Sequence, residues 1–255
     1  MTLADTTIPY GSLQPAAAFG QGSPERAASA RPWGVWATLA WVGAGIAFIS
    51  LFAIADGAWN LQLSLESQIV WASLSYCAVI TAIVLAMRLT RAPIRESLGL
   101  ARLRLRDIPL GVAAALVLTF VLPGIIALIH QLIGSWPWPT PDQPLSGPMM
   151  ALLSLEAIII APLAEELIFR GLMYRSLESS LGNVVALLIT ALTFGLIHKL
   201  YGYGWDHVAM AAFVGLGLGS LRWLTGGIAA SFVCHAILNS PLIATVFSLL
   251  ATWLQ

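Results

Sequence analysis

Charged side chains are scarce in this sequence. Only 9% of its 255 residues are Asp, Glu, Lys or Arg, whereas 58% are hydrophobic and the mean hydropathy is +0.85. An ordinary soluble protein has about 25% charged residues. The charges also sum to zero, so no electrostatic argument for nucleic-acid binding can be made, and we expect no nucleic-acid partner. This composition is typical of a protein that crosses a membrane several times.

Cysteine is equally rare. The two cysteines, Cys77 and Cys234, lie in separate apolar segments and belong to no CxxC or similar spacing. Such isolated cysteines in apolar surroundings predict buried free thiols. The sequence therefore implies no disulfide framework.

Apolar stretches separated by polar loops predict an all-α, polytopic integral membrane protein of about eight transmembrane helices with an intramembrane polar site. The predicted spans are 34–55, 69–87, 108–133, 149–179, 183–198, 207–223, 228–239 and 242–254. The last two are short for independent spans. Residues 1–32 are rich in Ala, Ser, Gly, Pro and Thr and predict a disordered cytoplasmic tail. We expect 33–255 to form one membrane-embedded domain whose motifs lie within 148–241.

The arginines predict the orientation. Segment 88–106 carries six of them, interleaved with leucines, which is typical of a basic segment on a membrane surface. Eight of the twelve basic residues lie in the tail or in this segment, and Lys199 lies in a loop predicted to face the opposite side. Cytoplasmic loops are enriched in Lys and Arg. We therefore expect a multi-pass protein of a bacterial inner membrane with both termini in the cytoplasm.

Three charged residues interrupt the fourth predicted span. Glu165, Glu166 and Arg170 lie within an apolar run, where each charge costs a few kcal/mol, about 3 by insertion scales. Glu166 precedes Arg170 by four residues, which is the favourable order for a helical ion pair. Glu165 is turned by about 100° on the same helix and is left as a separate carboxylate suited to general-base catalysis. Alternatively, the three charges only neutralise one another inside a helix bundle.

His198, His235 and Asn239 are predicted to complete a polar layer. If the chain turns at 179–182, the helical rise places Glu165 about 21 Å and His198 about 24 Å from the turn. His235 and Asn239 are four residues apart and share a helix face. A carboxylate and an imidazole can deprotonate water, and an imidazole N–H and an amide can donate to an oxyanion. This set favours hydrolysis of a bond such as a peptide.

Two other chemistries remain open. Glu165, His198 and His235 also have the composition of a zinc site, although the chain has no H-E-x-x-H motif and Asn239 would be a poor ligand. A cysteine mechanism would pair Cys234 with His235. Neighbouring positions on a helix diverge by about 100°, which argues against that dyad.

Three short motifs together resemble those of a known family. They are Glu165-Glu166-x-x-x-Arg170, Phe194-x-x-x-His198 and His235-x-x-x-Asn239. In this order on separate helices they resemble the CPBP intramembrane proteases, which include the CAAX prenyl proteases (Ras-converting enzymes) and bacteriocin-processing and immunity proteins. The glycine-rich segment 213–219 is similar to the sixth helix of that family. The resemblance covers about 148–241.

The resemblance implies a glutamate protease with its site inside the bilayer. Glu165 and His198 would activate water, and His235 and Asn239 would form the oxyanion site. Three residues would support them, namely Glu166, Arg170 and Phe194. Members are often labelled metalloproteases, so zinc held by Glu165, His198 and His235 is the alternative to our expectation of no cofactor.

We therefore predict an intramembrane endopeptidase that acts on a membrane-anchored protein or peptide. One alternative is a zinc-dependent variant of this protease. Another is a non-enzymatic membrane protein, either an immunity or scaffold factor or a transporter. A transporter is expected to show paired halves with broken helices, and the sequence shows no such internal symmetry.

Overall fold

The structure is a computed structural model that describes residues 35–59, 63–91, 93–100, 104–135, 144–240 and 243. Within these ranges every regular element is helical, which confirms the predicted all-α class. The predicted tail at 1–32 lies outside the described residues. The last predicted span, 242–254, also lies outside them except for Ile243.

The described helices are numbered here in chain order. The described residues begin with α1 Val35–Trp59, α2 Leu65–Leu89, the short α3 Ile94–Ser97 and α4 Asp107–Ile133. A continuous helical path follows, made of α5 Gly147–Leu155, a first π-helical segment Glu156–Ile160, α6 Ala161–Glu165, a second π-helical segment Glu166–Met173 and α7 Tyr174–Leu200. The described helices end with α8 Trp205–Thr225 and α9 Ala229–Leu238.

Several of these helices are suited to a bilayer. Four helical stretches of the described chain are long and apolar enough to cross a membrane, namely Leu65–Leu89, Asp107–Ile133, Gly147–Leu200 and Trp205–Thr225. Shorter apolar helices occur at Trp36–Leu51 and Ala229–Leu238. Large apolar side chains such as Leu116, Val117 and Phe120 point outward from α4, which suits contact with lipid. The chain is an integral membrane protein, although the described helices do not establish eight spans.

Gly182 divides the longest of these stretches into two antiparallel arms. Its φ of +80° lies in a region that favours glycine. This non-helical residue interrupts α7. On one straight helix Phe169 and Phe194 would lie about 38 Å apart, but their ring centroids are 5.3 Å apart. Across the turn, the Tyr174 hydroxyl donates to Oδ1 of Asn183 at 3.1 Å. The turn predicted at 179–182 is confirmed.

Small residues bring the second arm of α7 against α8. A Cβ atom on Gly195 would lie 2.6 Å from the Val208 carbonyl oxygen, and one on Gly215 would lie 3.0 Å from Cα of Ala191. Glycine at both positions lets the two backbones approach closely, as in other membrane helix pairs. This packing fixes the position of the Gly215 carbonyl, which faces the site described below.

The two cysteines differ in their surroundings. Cys234 is buried, as predicted, but Cys77 is exposed on the outer face of α2. The prediction of a buried thiol is therefore wrong for Cys77. Tyr76, Val79 and Ile83 recur at helical spacing and turn the opposite face of α2 into the core, so Cys77 faces outward.

Candidate active site

The charged motif lies where the helix changes between α-helical and π-helical hydrogen bonding. The chain is π-helical over Glu156–Ile160, returns to α-helix at Ala161–Glu165 and is π-helical again over Glu166–Met173. In the first π-helical segment the Ala161 N–H donates to the Glu156 carbonyl, five residues back. Such wide turns are rare in helices, and many of those that occur lie at functional sites. Here they adjoin Glu165 and Glu166.

Pro162 leaves one backbone carbonyl of this helix without its helical donor. Proline has no backbone N–H, so in the register set by Ala161 it cannot donate to the carbonyl of Ala157. The Asn239 side chain takes that place, since its Nδ2 donates to the Ala157 oxygen at 3.2 Å. Asn239 therefore ties the end of α9 to the first π-helical segment.

Glu166 and Arg170 form the ion pair that their spacing predicts. Nη1 of Arg170 donates to Oε1 of Glu166 at 3.0 Å, and the side chains are 1% and 0% exposed. Nη2 of Arg170 donates to the Gly215 carbonyl at 3.2 Å. The guanidinium also lies 4.6 Å from the centroid of the Phe194 ring, within the range of a cation–π interaction.

His235 lies between the two glutamates. Its Nδ1 is 3.1 Å from Oε1 of Glu166, and its Nε2 is 3.5 Å from Oε2 of Glu165. The imidazole is buried with only 4% of its side chain exposed. A continuous polar chain therefore runs from Arg170 through Glu166 and His235 to Glu165.

Glu165 has partners of its own. Its carboxylate is buried, and Oε1 accepts a hydrogen bond of 2.9 Å from the hydroxyl of Tyr76 on α2. The helical angle correctly separated Glu165 from Arg170, but the carboxylate is not without contacts as the sequence suggested. Sequence reasoning missed Tyr76 because no motif marks it and the register of α2 against α6 has no local signature.

His198 joins the site through aromatic contacts. Its Nδ1 is 2.8 Å from the Phe194 carbonyl oxygen, which can only accept, so Nδ1 carries a hydrogen and Nε2 of the neutral ring is an acceptor. The Phe194 ring lies 5.2 Å from the His198 ring and 5.6 Å from the His235 ring, measured between centroids. Phe194 thus packs against both imidazoles.

Two further aromatic residues lie beside His198. The His207 ring is 5.2 Å from it, and the Tyr203 ring stacks on His207 at 4.1 Å. Burial is the main cause that raises the pKa of the Tyr203 phenol, which lies between α7 and α8. Sequence analysis missed both residues, since a lone histidine after a loop carries no specific signal.

The described residues do not assemble the three predicted zinc ligands into one group. In the part of the chain that the structure describes, no three His, Cys, Asp or Glu side chains are grouped to hold a metal ion. Two of the three predicted ligand atoms, Nε2 of His235 and Oε2 of Glu165, lie 3.5 Å apart, and Nδ1 of His235 faces Glu166. Glu165, His198 and His235 do not converge as a ligand set.

The family comparison agrees with the motif pattern. Residues 147–241 match the model of the Rce1-like family, described as type II CAAX prenyl endopeptidase Rce1-like. The match supports the CPBP/CAAX protease family for this segment, which we call the CAAX protease segment. The CAAX protease segment is less than half of the chain and contains all of the predicted site residues, whereas Tyr76 and α1 to α4 precede it. No curated protein and no solved structure matches the chain.

Proposed function

We propose that the chain is an intramembrane endopeptidase that hydrolyses a peptide bond of a membrane-anchored protein or peptide with water as the nucleophile. One observation carries the proposal: the buried carboxylate of Glu165 lies within 2.9 Å of the Tyr76 hydroxyl and 3.5 Å of the His235 ring. The match of this segment to a protease family supports the choice of a peptide substrate.

Glu165 is the proposed general base. An ionised carboxylate offers about four acceptor positions, and the two observed contacts leave positions for a water. As the water oxygen forms a bond to the peptide carbon, its proton passes to Glu165 and the carbonyl π electrons move to oxygen. When the C–N bond breaks, the proton on Glu165 passes to the leaving amine. The acceptor Nε2 of His198 is proposed to orient the same water.

The developing oxyanion needs preorganised donors. We assign this role to Asn239 and to Nε2–H of His235, whose contact with Glu165 is long at 3.5 Å. The Asn239 amide has two N–H groups and uses one on Ala157, so the second can serve the oxyanion. Glu166 and Arg170 support the site, because Oε1 of Glu166 contacts both the guanidinium and the His235 ring.

The arginines support cytoplasmic termini in a bacterial inner membrane. Exposed arginines lie at or just after the end of α2 and just before the start of α4, including Arg88, Arg91, Arg104 and Arg106. Both ends are proposed to face the cytoplasm by the positive-inside rule. The substrate is proposed to reach the site from the bilayer, held there by a lipid or a helix of its own.

Processing of a membrane-anchored peptide by purified protein tests the proposal. We expect Glu165→Gln and His198→Ala to abolish cleavage, because the first removes the proposed base and the second removes a proposed acceptor for the water. A chelator is expected to leave the wild-type rate unchanged. Undiminished processing by both variants would overturn the assigned site, and no processing by the wild type would favour a non-enzymatic scaffold or immunity factor. Loss of wild-type activity with chelator, restored by zinc, would favour the metalloprotease instead.

A further inference from the structure

Tyr76 reaches the site from outside the CAAX protease segment. It lies in the middle of α2 and is 6% exposed. Its neighbours on the inner face, Val79 and Ile83, belong to the same buried core as Phe169 and Phe194. Helix α2 also packs against α6 and the first π-helical segment. The phenol is therefore part of the buried core of the described residues.

The Tyr76 hydroxyl donates a hydrogen bond to one of the two carboxylate oxygens of Glu165. It donates to Oε1 at 2.9 Å, whereas Oε2 faces Nε2 of His235 at 3.5 Å. The carboxylate is thus contacted from α2 on one side and from α9 on the other. A glutamate side chain has several rotatable bonds, and two directional contacts at different oxygens restrict the carboxylate to one orientation.

We propose that Tyr76 is a positioning residue for the proposed hydrolysis: its hydroxyl fixes the Glu165 carboxylate so that the remaining acceptor positions face the water. This inference rests on the proposed function. Tyrosine is suited to the task because its ring is rigid, fills the apolar core and presents one polar atom at its tip. The phenol donates to the proposed base and need not contact the substrate.

Tyr174 provides a matched control. It is fully buried, and its hydroxyl donates to Oδ1 of Asn183 at 3.1 Å beside the Gly182 turn. Tyr174→Phe and Tyr76→Phe remove the same atom, and with it the bond to Asn183 in one case and the bond to Glu165 in the other. Only the second change affects Glu165, so a general effect of losing a buried phenol appears in both variants.

The experiment measures kcat and KM for full-length wild type, Tyr76→Phe, Tyr174→Phe and Glu165→Gln in lipid nanodiscs, with a fluorogenic membrane-anchored peptide. Hydrogen bonds to charged groups contribute enough to expect a fall in kcat of about 10-fold to 100-fold for Tyr76→Phe. KM is expected to stay within about twofold, because the substrate does not contact the phenol. Tyr174→Phe is expected to retain kcat within about twofold.

Equal kcat in the two Phe variants, or a change confined to KM, would overturn the positioning role. Equal rates for wild type and Glu165→Gln would instead overturn the proposed function. Thermal unfolding of Tyr76→Phe, Glu165→Gln and the double variant tests the contact between Tyr76 and Glu165 without relying on activity. Residues in contact give non-additive changes, so we expect the double variant to lose less Tm than the two losses together. Additive losses would overturn the Tyr76 inference whatever the activity.

Discussion

Oε1 of Glu166 contacts Nδ1 of His235 at 3.1 Å and Nη1 of Arg170 at 3.0 Å. One carboxylate oxygen thus links a helical ion pair to the imidazole that faces Glu165. The three side chains are 4% exposed or less. The supporting pair is therefore coupled to the proposed oxyanion residue, and a change at Glu166 reaches the site through His235.

Glu166→Gln should destabilise the protein more than it lowers activity. The substitution leaves Arg170 buried without its carboxylate, and breaking a buried ion pair costs about 3–5 kcal/mol. We expect a large loss of Tm and of accumulated protein. The specific activity of the folded fraction should fall less than in Glu165→Gln, since the proposed base remains. Thermal unfolding and cleavage rates on the same preparations check this, and a stable but inactive Glu166→Gln would assign Glu166 to catalysis.

Gly195→Ala should weaken the packing of α7 on α8. The added Cβ would lie 2.6 Å from the Val208 carbonyl oxygen and 2.7 Å from Cβ of Ala212. Overpacking of this kind costs about 1–3 kcal/mol. Gly43→Ala is the matched control, because nothing lies within 4 Å of its added Cβ. We expect the Tm to fall for Gly195→Ala and to be unchanged or higher for Gly43→Ala. Equal Tm values would show that the two helices are less closely packed than the structure indicates.

The sequence was sufficient to predict the features that depend only on the geometry of a single helix or of one turn. Spacing along one helix gave the pair of Glu166 and Arg170, and the helical rise from the turn at Gly182 placed Glu165 near the level of His198. The sequence alone did not predict which side chains on different helices would contact each other. The bond from Tyr76 to Glu165 depends on how far α2 slides along α6, and an apolar helix face permits several registers.

The π-helical segments mark another limit of sequence reasoning. The 100° per residue of an ideal α-helix does not hold where the helix widens at Glu156–Ile160 and Glu166–Met173. Pro162 lacks the N–H that would satisfy a carbonyl near the glutamates, but the sequence does not show which residue takes its place. Asn239 donates to that carbonyl, a role that the sequence motif did not suggest beside its predicted oxyanion role.

Asn239→Ala separates these two roles of the amide. Loss of a single hydrogen bond at an exposed position costs about 0.5–1.5 kcal/mol, so the Tm should fall only slightly. Loss of one oxyanion donor typically lowers kcat by about 10²–10³-fold, and we expect a fall of at least 100-fold with little change in KM. Cleavage kinetics and thermal unfolding of the same variant test this. A lowered Tm with unchanged kcat would restrict Asn239 to its bond with Ala157.

His198→Asn tests which nitrogen of the imidazole serves the reaction. Nδ1 of His198 bonds the Phe194 carbonyl in the same helix at 2.8 Å, and an asparagine amide can place a donor near this position while it lacks the Nε2 acceptor. We therefore expect His198→Asn to keep most of the wild-type Tm and to lose activity. His198→Gln, whose longer side chain can place an acceptor near Nε2, should retain more activity than His198→Asn. The reverse order of rates would show that the Phe194 bond, and not the Nε2 acceptor, is what the reaction requires.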